Sequence, residues 1–485
     1  MGNTDKWMKL LSRERFIPNY HDARVAIDVH ETYRRTYQKD YDRIIFSSAF
    51  RRLQGKTQVH PFPKFDYTRV RLTHSLETAS VARTLGRAAA WIVLQKEPGL
   101  LDAYAGSSKD ANHRYFLKRF DGTELAFIED VATLVSAAAL SHDIGNPPFG
   151  HSGEYAIREW FSGYFGQNAN IIDDRQKSDF INYEGNALGF RTLTRLQGWR
   201  EQGGLQVTHA LLAASIKYPQ TSDMIEKRKK DKETYYKKFH VFHDDKKNFL
   251  SVMNVCGLEP KSPHKDDCVF QRHPFAYLVE AADDICYLST DIEDAAKAGM
   301  LPFEKATRSL EKIFRKSESC INSRLDQIDN EEDKLAYLRS GAIGAMIDIA
   351  IESFENHYEA ILSGNFVGDL LSQSRIGKEV KEIRTTCEQQ LYFGREKLIA
   401  ETGGASVISS LLAKLVPAAL EFIANDREIQ GMQPMNARRL SVIPPSFRAN
   451  MGDKYKALLS VTDYIGGMTD KYAYQLNKGL CGMDF

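Results

Sequence analysis

The sequence lacks the features that mark several large classes of protein. Its six cysteines form no Cys-x-x-Cys pair, which disfavours both a zinc-thiolate site and the disulfide framework of a secreted protein. No apolar run reaches the roughly 18 residues of a membrane-spanning helix. The N-terminus shows no apolar segment behind basic residues, as a secretory signal would. These absences predict a reduced, soluble, cytoplasmic protein without a membrane segment.

The chain also lacks an excess of charge of either sign. It carries 65 basic and 64 acidic residues over 485 positions, for a formal net charge of +1. This balance argues against nucleic acid as the main partner and against disorder caused by acidic composition. Any anionic ligand must therefore be attracted by a local cluster of basic side chains. With 42% hydrophobic residues, the chain is long enough to bury one large core or two to three ordinary ones.

What the sequence does contain is helical periodicity. Residues 78–95 are rich in Ala, Leu and Val, and residues 131–140 are almost all apolar, as in a buried helix. Residues 275–298 place apolar side chains along one helical face. Since little period-two alternation is present, we predict an all-α, mainly helical fold. Further helices are predicted at 303–325, 331–363, 376–400 and 406–424.

Four side chains that suit a metal ion occur in or beside these three apolar helices. His142 and Asp143 end the second helix and precede Gly145, which suits a helix stop. His74 opens the first helix, and Asp283 lies within the third. A buried carboxylate without a partner is costly, and a divalent cation would remove that cost. Two imidazoles and two carboxylates suit Mn, Fe, Ni or Mg, whereas the lack of sulfur disfavours structural zinc.

The order His, His-Asp and Asp in a helical chain resembles the HD phosphohydrolase superfamily. Longer motifs are similar to those of the bacterial deoxyguanosine triphosphate triphosphohydrolases (dGTPases), and together they run from about residue 45 to about residue 475. The motifs are His-Asp-Ile-Gly-Asn-Pro-Pro-Phe-Gly-His at 142–151, Tyr-Glu-Gly-Asn-Ala at 183–187, Lys-Tyr-Pro at 217–219, Glu-Ala-Ala-Asp-Asp-Ile-Cys-Tyr at 280–287 and Asp-Tyr-Ile-Gly-Gly-Met-Thr-Asp at 463–470.

The stretch Gly-Met-Leu-Pro at 299–302 predicts a boundary near residue 300, with the two parts packed against each other. With the resemblance, residues 1–300 are expected to form an HD-domain helical core with its N-terminal segment, and residues 301–485 a helical C-terminal region packed on that core. The resemblance implies metal-dependent hydrolysis of dGTP, with other dNTPs left open, to deoxynucleoside and tripolyphosphate. The expected cofactor is Mn²⁺ or Mg²⁺, and another transition metal is the alternative. The ligands would be His74, His142, Asp143 and Asp283.

The resemblance places a catalytic acid-base pair on His151 and Glu154. Water activated by the metal would attack the α-phosphorus, while the imidazole supplies a proton to the leaving 5′-oxygen. The spacing of three residues puts the two side chains on one helical face. The alternative is a loop histidine followed by a glutamate that stabilises the N-terminus of a helix.

Cationic side chains are expected to contact the triphosphate. Arg71 precedes His74 by three residues, and Lys217 follows an apolar run in which an anion would satisfy its charge. For each, the alternative is a salt bridge within the protein or a side chain that extends to solvent. Arg439 and Arg448 are further candidates, in the site of a neighbouring subunit.

Three residues are candidates for binding the deoxyribose. Tyr287 and Asp291 follow Asp283 at i+4 and i+8 and so share its helical stripe. By the resemblance, Tyr287 packs on the sugar and leaves no room for a 2′-hydroxyl, while Asp291 and Gln58 bond to the 3′-hydroxyl. An ordinary core aromatic is the alternative for Tyr287, and a surface polar residue is the alternative for Gln58.

Other motif residues are expected to have supporting roles. Glu184 is a candidate for orienting a metal-ligating histidine. The motif at 463–470 is expected to stabilise the packing of the C-terminal helices. Asn146 stands where some relatives in the wider superfamily have another histidine, so this position supplies no imidazole here.

Two alternative functions stay open. One is an HD enzyme with another substrate, such as a nucleoside monophosphate or several dNTPs. Its products would distinguish the cases, since a triphosphohydrolase releases tripolyphosphate and a phosphatase releases orthophosphate. The other is a nucleotide sensor or single-stranded DNA-binding protein with an inert centre. The resemblance also implies a homo-oligomer, with a hexamer favoured, and weak binding of single-stranded DNA. Base selectivity, metal identity and activation by nucleotides or DNA follow from no motif in the sequence.

Overall fold

A computed structural model shows that the chain folds almost entirely into helices. Among the residues that it describes, β-structure is limited to isolated bridges such as Arg15 with Thr208 and Thr57 with Val70. The predicted all-α fold is therefore confirmed. The structure describes residues 2–17, 34–57, 69–107, 122–198, 203–227, 237–262, 264, 267–297, 299–316, 325–391 and 395–483.

The α-helices are numbered here in chain order. The first twelve are α1 (Asn3–Leu10), α2 (Thr36–Ile45), α3 (Ser48–Arg52), α4 (Arg71–Lys96), α5 (Leu100–Ser107), α6 (Gly122–Ser141), α7 (His151–Gln167), α8 (Asp174–Ile181), α9 (Gly185–Arg191), α10 (His209–Ser215), α11 (Met224–Lys227) and α12 (Lys246–Val255). The others are α13 (Pro274–Lys297), α14 (Phe303–Phe314), α15 (Glu331–Asn356), α16 (Tyr358–Leu362), α17 (Gly377–Leu391), α18 (Arg395–Ala424), α19 (Pro434–Val442), α20 (Pro445–Arg448), α21 (Lys454–Gly466) and α22 (Asp470–Leu480).

The predicted helices agree with these elements apart from their ends. The three apolar segments are the interiors of α4, α6 and α13. The predicted helix at 331–363 is broken at His357 into α15 and α16. The one at 376–400 corresponds to α17 and the start of α18, with residues 392–394 outside the described part of the chain.

Helices α4, α6 and α13 form the centre of the larger hydrophobic core. At Gly86 in α4, a Cβ atom would lie 3.0 Å from the Cβ of Val135 and 3.1 Å from the Cα of Ala132, so α4 and α6 pack closely. The alanines of α6, such as Ala138, are fully buried. Because apolar side chains surround these helices, polar groups on their inner faces need a bonding partner or an ion.

A second cluster of buried apolar residues is built mainly by α7, α18 and α21. It extends along the sequence from Phe149 to Ala473, and the first cluster extends from Trp7 to Cys387. The two therefore interleave in sequence. The predicted division of the chain near residue 300 stays a prediction.

One segment of α18, Leu398–Ala424, is long and apolar enough to cross a membrane by length and composition alone. Half of its most apolar window is buried inside the protein, where α18 packs against α7, α19, α21 and α22. A core helix passes the same test, so this segment is weak evidence for a membrane span.

Candidate metal centre and its cavity

Three helices bring four of the predicted side chains to one point. His74 lies in the first turn of α4, His142 and Asp143 follow the end of α6, and Asp283 lies within α13. His74 Nε2 is 3.0 Å from Asp283 Oδ1, and His142 Nε2 is 3.5 Å from the same oxygen. Ligand atoms of His74, His142 and Asp143 all lie within 4.8 Å of one another.

The turn after α6 orients His142 and Asp143. The Nδ1 atom of His142 is 2.6 Å from the carbonyl oxygen of Ala139, so Nδ1 carries the proton and Nε2 is left to accept. Gly145 is predicted to suit a helix stop, but α6 has already ended at Ser141, and Gly145 does not have a positive φ. Instead, a Cβ on Gly145 would lie 2.0 Å from the carbonyl oxygen of Gly185, so α9 packs directly on this turn.

The charges around the centre keep its carboxylates ionised. Burial alone would raise the pKa of Asp143, but Arg71, at 2.8 Å from Oδ1, and the two imidazoles outweigh it and hold the pKa below its usual range. The pKa of Asp283 is likewise held low, since His142 and His74 overcome the effect of burial. Burial lowers the pKa of His74, yet its bond to Asp283 leaves that pKa above the ordinary value.

The residues present suit a divalent ion. The Oδ2 atom of Asp143 is buried and has no hydrogen-bond partner among the described residues, and His142 Nε2 lies 3.7 Å from it. Such an oxygen is costly unless a cation is bound. Imidazole nitrogen and carboxylate oxygen are donors that Mn²⁺, Fe²⁺ and other divalent ions accept. His74, His142, Asp143 and Asp283 are therefore the residues that would hold the metal.

The centre opens into a cavity of about 830 Å³. Its lining includes the predicted basic residues Arg71, His151 and Lys217 together with residues of the metal centre. It also includes the carboxylates of Glu280, Asp284, Glu388 and Glu401, which the sequence analysis did not select. The predicted residues that line it are Arg71, His142, Asp143, His151, Lys217, Asp283 and Tyr287.

His151 and Glu154 stand one turn apart at the start of α7. The imidazole opens onto the cavity, whereas the carboxylate of Glu154 is buried and accepts the backbone N–H of Gly185 at 2.7 Å. Enclosure by protein atoms lowers the pKa of His151, and the charge of Glu154 opposes that effect. Glu154 therefore influences His151 through its charge while its oxygen holds the start of α9.

Lys217 is already paired in this structure. Its Nζ lies 3.3 Å from Oε1 of Glu280. The other carboxylate oxygen of Glu280, Oε2, accepts a bond from Arg272. Burial alone would lower the pKa of Lys217, but Tyr218 and Glu280 outweigh it, and the pKa stays well above its ordinary value. The salt bridge that was the alternative for Lys217 is thus present, and an anion in the cavity would compete with Glu280.

Three other predicted substrate residues, Asp291, Arg439 and Arg448, are not among the residues that line the cavity. Asp291 is buried near His74, with Oδ2 lacking a partner among the described residues, and burial raises its pKa to about 7. Arg439 and Arg448 lie on α19 and α20. Gln58 lies outside the described residues.

Several cavity residues were missed by the sequence analysis. Lys238 lines the cavity, and so does Arg384, whose guanidinium is 2.8 Å from Asp284. Asp284 is adjacent to a predicted ligand, and Tyr218 and Glu280 lie within quoted motifs, which are signals that could have found them. The missed lining residues with charged or aromatic polar side chains are Tyr155, Tyr218, Lys238, His240, Glu280, Asp284, Arg384, Glu388 and Glu401, and further polar ones are Thr57, Ser141, Asn186 and Ser215.

Two expected supporting roles can also be compared with the structure. Glu184 contacts Arg158 at 2.7 Å and Lys238 at 3.8 Å, so its partners are cations rather than a metal-ligating histidine. Asp463 accepts a bond from Arg191 Nε at 2.9 Å, and both side chains are buried. That ion pair joins α9 to α21, in agreement with a packing role for the C-terminal motif.

The sequence is similar to a known domain family and to several known proteins. The HD domain family matches residues 71–177, which contain His74, His142 and Asp143. A "Deoxyguanosinetriphosphate triphosphohydrolase-like protein" of Pseudomonas aeruginosa is 34% identical over 481 residues, or 98% of each chain. A protein of the same name from Synechocystis is 33% identical over 99% of each chain. A "Deoxyguanosinetriphosphate triphosphohydrolase" of Yersinia pestis is 26% identical over 91% of this chain and 92% of its own.

Proposed function

The chain belongs to the deoxyguanosinetriphosphate triphosphohydrolase family of HD-domain proteins, and we propose on that premise that it hydrolyses deoxynucleoside triphosphates, dGTP first among them. The products would be the deoxynucleoside and tripolyphosphate. The observation that carries this proposal is the placement of the His-Asp centre at the wall of a cavity that also presents Arg71, His151, Lys217 and Lys238. Four cationic or protonatable side chains beside one centre suit a polyphosphate.

The basic residues would bind and orient the phosphate chain. Arg71 lies beside Asp143, so its guanidinium is within reach of a phosphate at the centre. Lys217 and Lys238 are further along the same cavity, and each can exchange a carboxylate partner for a phosphate oxygen. A divalent ion, when bound, supplies Lewis-acid polarisation of the phosphate and lowers the pKa of water.

His151 would supply the proton that the leaving 5′-oxygen needs. Arg71 and Lys238 help to lower the pKa of this imidazole, but a bound triphosphate would neutralise them and favour the protonated form. Glu154 adds a negative charge one turn away, which acts in the same direction. The imidazole would thus gain its proton as substrate binds and release it to the nucleoside oxygen.

Tyr287 is the residue proposed to bind the deoxyribose. Tyr287 is on the cavity wall at i+4 from Asp283, so its ring is placed to pack on a deoxyribose beside the centre. A ring in that place leaves no room for a 2′-hydroxyl, which would favour deoxynucleotides. The roles of Asp291 and Gln58 toward the 3′-hydroxyl stay predictions, as do those of Arg439 and Arg448 from a neighbouring subunit of a homo-oligomer.

The test is an assay in Mn²⁺ or Mg²⁺ against dGTP, the other dNTPs and GTP, with the phosphorus products resolved by ³¹P NMR. We expect tripolyphosphate from dNTPs, little turnover of GTP, and no activity in His142→Ala or Asp283→Ala. Orthophosphate as the product would instead indicate a phosphatase. Full activity in either variant would contradict the assigned centre.

A further inference from the structure

Asp470, the last residue of the motif at 463–470, makes three hydrogen bonds close to the cavity. It is buried at the start of α22. Its Oδ1 accepts the backbone N–H of Phe149 at 2.9 Å. Its Oδ2 accepts the backbone N–H of Thr57 at 3.1 Å and the hydroxyl of Thr57 at 3.0 Å. One carboxylate thus ties together two segments that lie 321 and 413 residues away in sequence.

One of these segments is the turn that leads into the helix of His151. Phe149 has φ 63° and Gly150 has φ 59°, and α7 begins with His151 immediately after them. Positive φ is rare for a residue such as phenylalanine, and it persists where surrounding contacts hold it. The bond from Phe149 to Asp470 is such a contact, and it fixes the backbone two residues before the imidazole.

The same C-terminal motif holds the other end of this turn. The buried Lys56 donates from Nζ to the carbonyl oxygen of Gly466 at 2.9 Å and also to that of Asn146. The amide of Asn146 in turn donates to Oδ1 of Asp143. The turn between Asp143 and His151 is therefore attached at both ends to the loop that joins α21 to α22.

We propose that Asp470 is a positioning residue that sets the place of His151 relative to the metal centre. This inference rests on the proposed function, because it gives His151 a catalytic role. Asp470 itself is not among the residues that line the cavity, whereas its hydrogen-bond partners Thr57 and Phe149 are. It acts by fixing the turn at 145–150, on which the direction of the imidazole depends.

The chain offers a matched control for this proposal. Asp463 is a second buried carboxylate of the same motif, and it bonds to Arg191 rather than to the turn. In Asp470→Asn, an amide NH2 replaces one of the two accepting oxygens, so either the Phe149 N–H or the Thr57 N–H loses its acceptor and the attachment of the turn weakens. In Asp463→Asn, the packing of α21 on α9 weakens while the bonds to Phe149 and Thr57 remain.

The first measurement is hydrogen exchange of the metal-free protein, followed by mass spectrometry of a peptide that covers 146–152. We expect exchange in this peptide to be at least about tenfold faster in Asp470→Asn and unchanged in Asp463→Asn. The exchange rate does not depend on enzymatic activity, so it tests whether Asp470 holds the turn even if the proposed reaction is wrong.

The second measurement is steady-state kinetics with dGTP in Mn²⁺. A misplacement of the order of 1 Å lowers turnover by about 100-fold, so we expect kcat of Asp470→Asn to fall on that scale while KM and Mn²⁺ affinity change little. Asp463→Asn should lower Tm with kcat within about twofold of the parent protein. If Asp470→Asn does not fold, Thr57→Val removes and Thr57→Ser keeps a hydroxyl donor to the same carboxylate. Because Thr57 also lines the cavity, this pair is compared by exchange at 146–152 rather than by kcat.

Unchanged exchange at 146–152 in Asp470→Asn or Thr57→Val would overturn the proposal. It would also be overturned if kcat fell equally in Asp470→Asn and Asp463→Asn in proportion to lost stability. A parent protein without triphosphohydrolase activity would contradict the proposed function, and with it the catalytic meaning of the positioning, while the exchange result would still show whether Asp470 holds the turn.

Discussion

The imidazole of His151 faces the cavity, while the carboxylate of Glu154 is occupied by the N–H of Gly185. At the scale of single residues, this difference assigns the roles: His151 can transfer a proton, whereas Glu154 acts on His151 through its charge. A similar contrast exists at the centre, where Asp143 uses Oδ1 for Arg71 and leaves Oδ2 without a hydrogen-bond partner among the described residues. The bond from Arg71 to Oδ1 thus holds the Asp143 carboxylate in place and leaves Oδ2 available to a metal ion.

His151→Ala is the first prediction at this scale. Removing a general acid typically lowers turnover by at least about 100-fold, and we expect that loss in kcat with dGTP. The affinity for Mn²⁺, measured by calorimetry, should be retained because His151 lies outside the ligand set.

Glu154→Gln is the companion to His151→Ala, and it tests the effect of the Glu154 charge on the imidazole. Its amide oxygen can still accept the Gly185 N–H, but the negative charge that favours imidazolium is lost. The loss of kcat should be smaller than in His151→Ala, and the pH at which activity falls on the alkaline side should move down. An unchanged pH profile would argue that Glu154 has only a structural role.

At the scale of elements, the turns between helices decide whether the centre forms. α6 ends one residue before His142, and α9 packs so closely on the following turn that Gly145 has no space for a side chain. Residues of this turn and residues of α9 both line the cavity, so its shape depends on the contact between them. A substitution there should disturb the centre more than a substitution at an open position of a neighbouring helix.

Gly145→Ala tests this contact. A Cβ at 2.0 Å from the Gly185 oxygen must displace backbone, and such overpacking typically costs 1–3 kcal/mol or more, which we expect as a lower Tm, weaker Mn²⁺ binding and reduced activity. Gly163→Ala is the control, because nothing lies within 4 Å of its Cβ position in α7. There, alanine should stabilise the protein by roughly 0.5–1 kcal/mol. Equal Tm values in both variants would contradict the close contact at Gly145.

At the scale of the whole molecule, the centre joins α4, the end of α6 and α13, which are also the middle of the larger core. An ion bound there links three helices that are far apart in sequence. Binding of a metal ion at the centre should therefore raise the free energy of unfolding of the whole protein, because a ligand that binds only the folded state stabilises it.

Addition of Mn²⁺ to chelator-treated protein is expected to raise Tm. At a metal concentration about 100 times Kd, the stabilisation is about 2.7 kcal/mol, and differential scanning calorimetry should detect it. His142→Ala should lose the metal-dependent rise. A rise of the same size in that variant would place the stabilising ion elsewhere.

A pH effect on stability is predicted at His273, where α1 meets the start of α13. Its Nε2 is 3.0 Å from the carbonyl oxygen of Leu10, and its Nδ1 accepts the N–H of Phe275, so the ring is neutral. Burial lowers the pKa of His273 to about 4. Because this value is below that of the unfolded chain, the contribution to stability is complete above about pH 6.5 and is lost as the pH falls toward 4.

The loss between about pH 7 and about pH 5 should be roughly 2 kcal/mol for this group. His273→Gln keeps a donor for the Leu10 carbonyl but does not titrate, so its Tm should fall less than that of the parent protein over the same range. His240, whose pKa burial lowers to about 3, should keep part of the acid sensitivity in the variant. Parallel Tm curves for parent and variant would contradict the prediction.

Much of the fold could be predicted from the sequence. The apolar composition of α4, α6 and α13 identified them as buried helices, because periodicity and composition are local properties that the chain carries without its tertiary structure. Helix ends were less accurate, as at His357 and between α17 and α18, since caps and packing decide them.

The sequence alone also determined which residues are candidates for the centre. His74, His142, Asp143 and Asp283 stand out as polar groups in apolar helices, and the motifs around them identify the family. Only the tertiary structure decided that these groups meet, that Lys217 is paired with Glu280, and that Lys238 and Arg384 line the same cavity. The role of Asp470 has the same origin, since its partners are hundreds of residues away. The physical reason is that local pattern encodes burial, whereas contact between distant side chains is set by how whole helices pack.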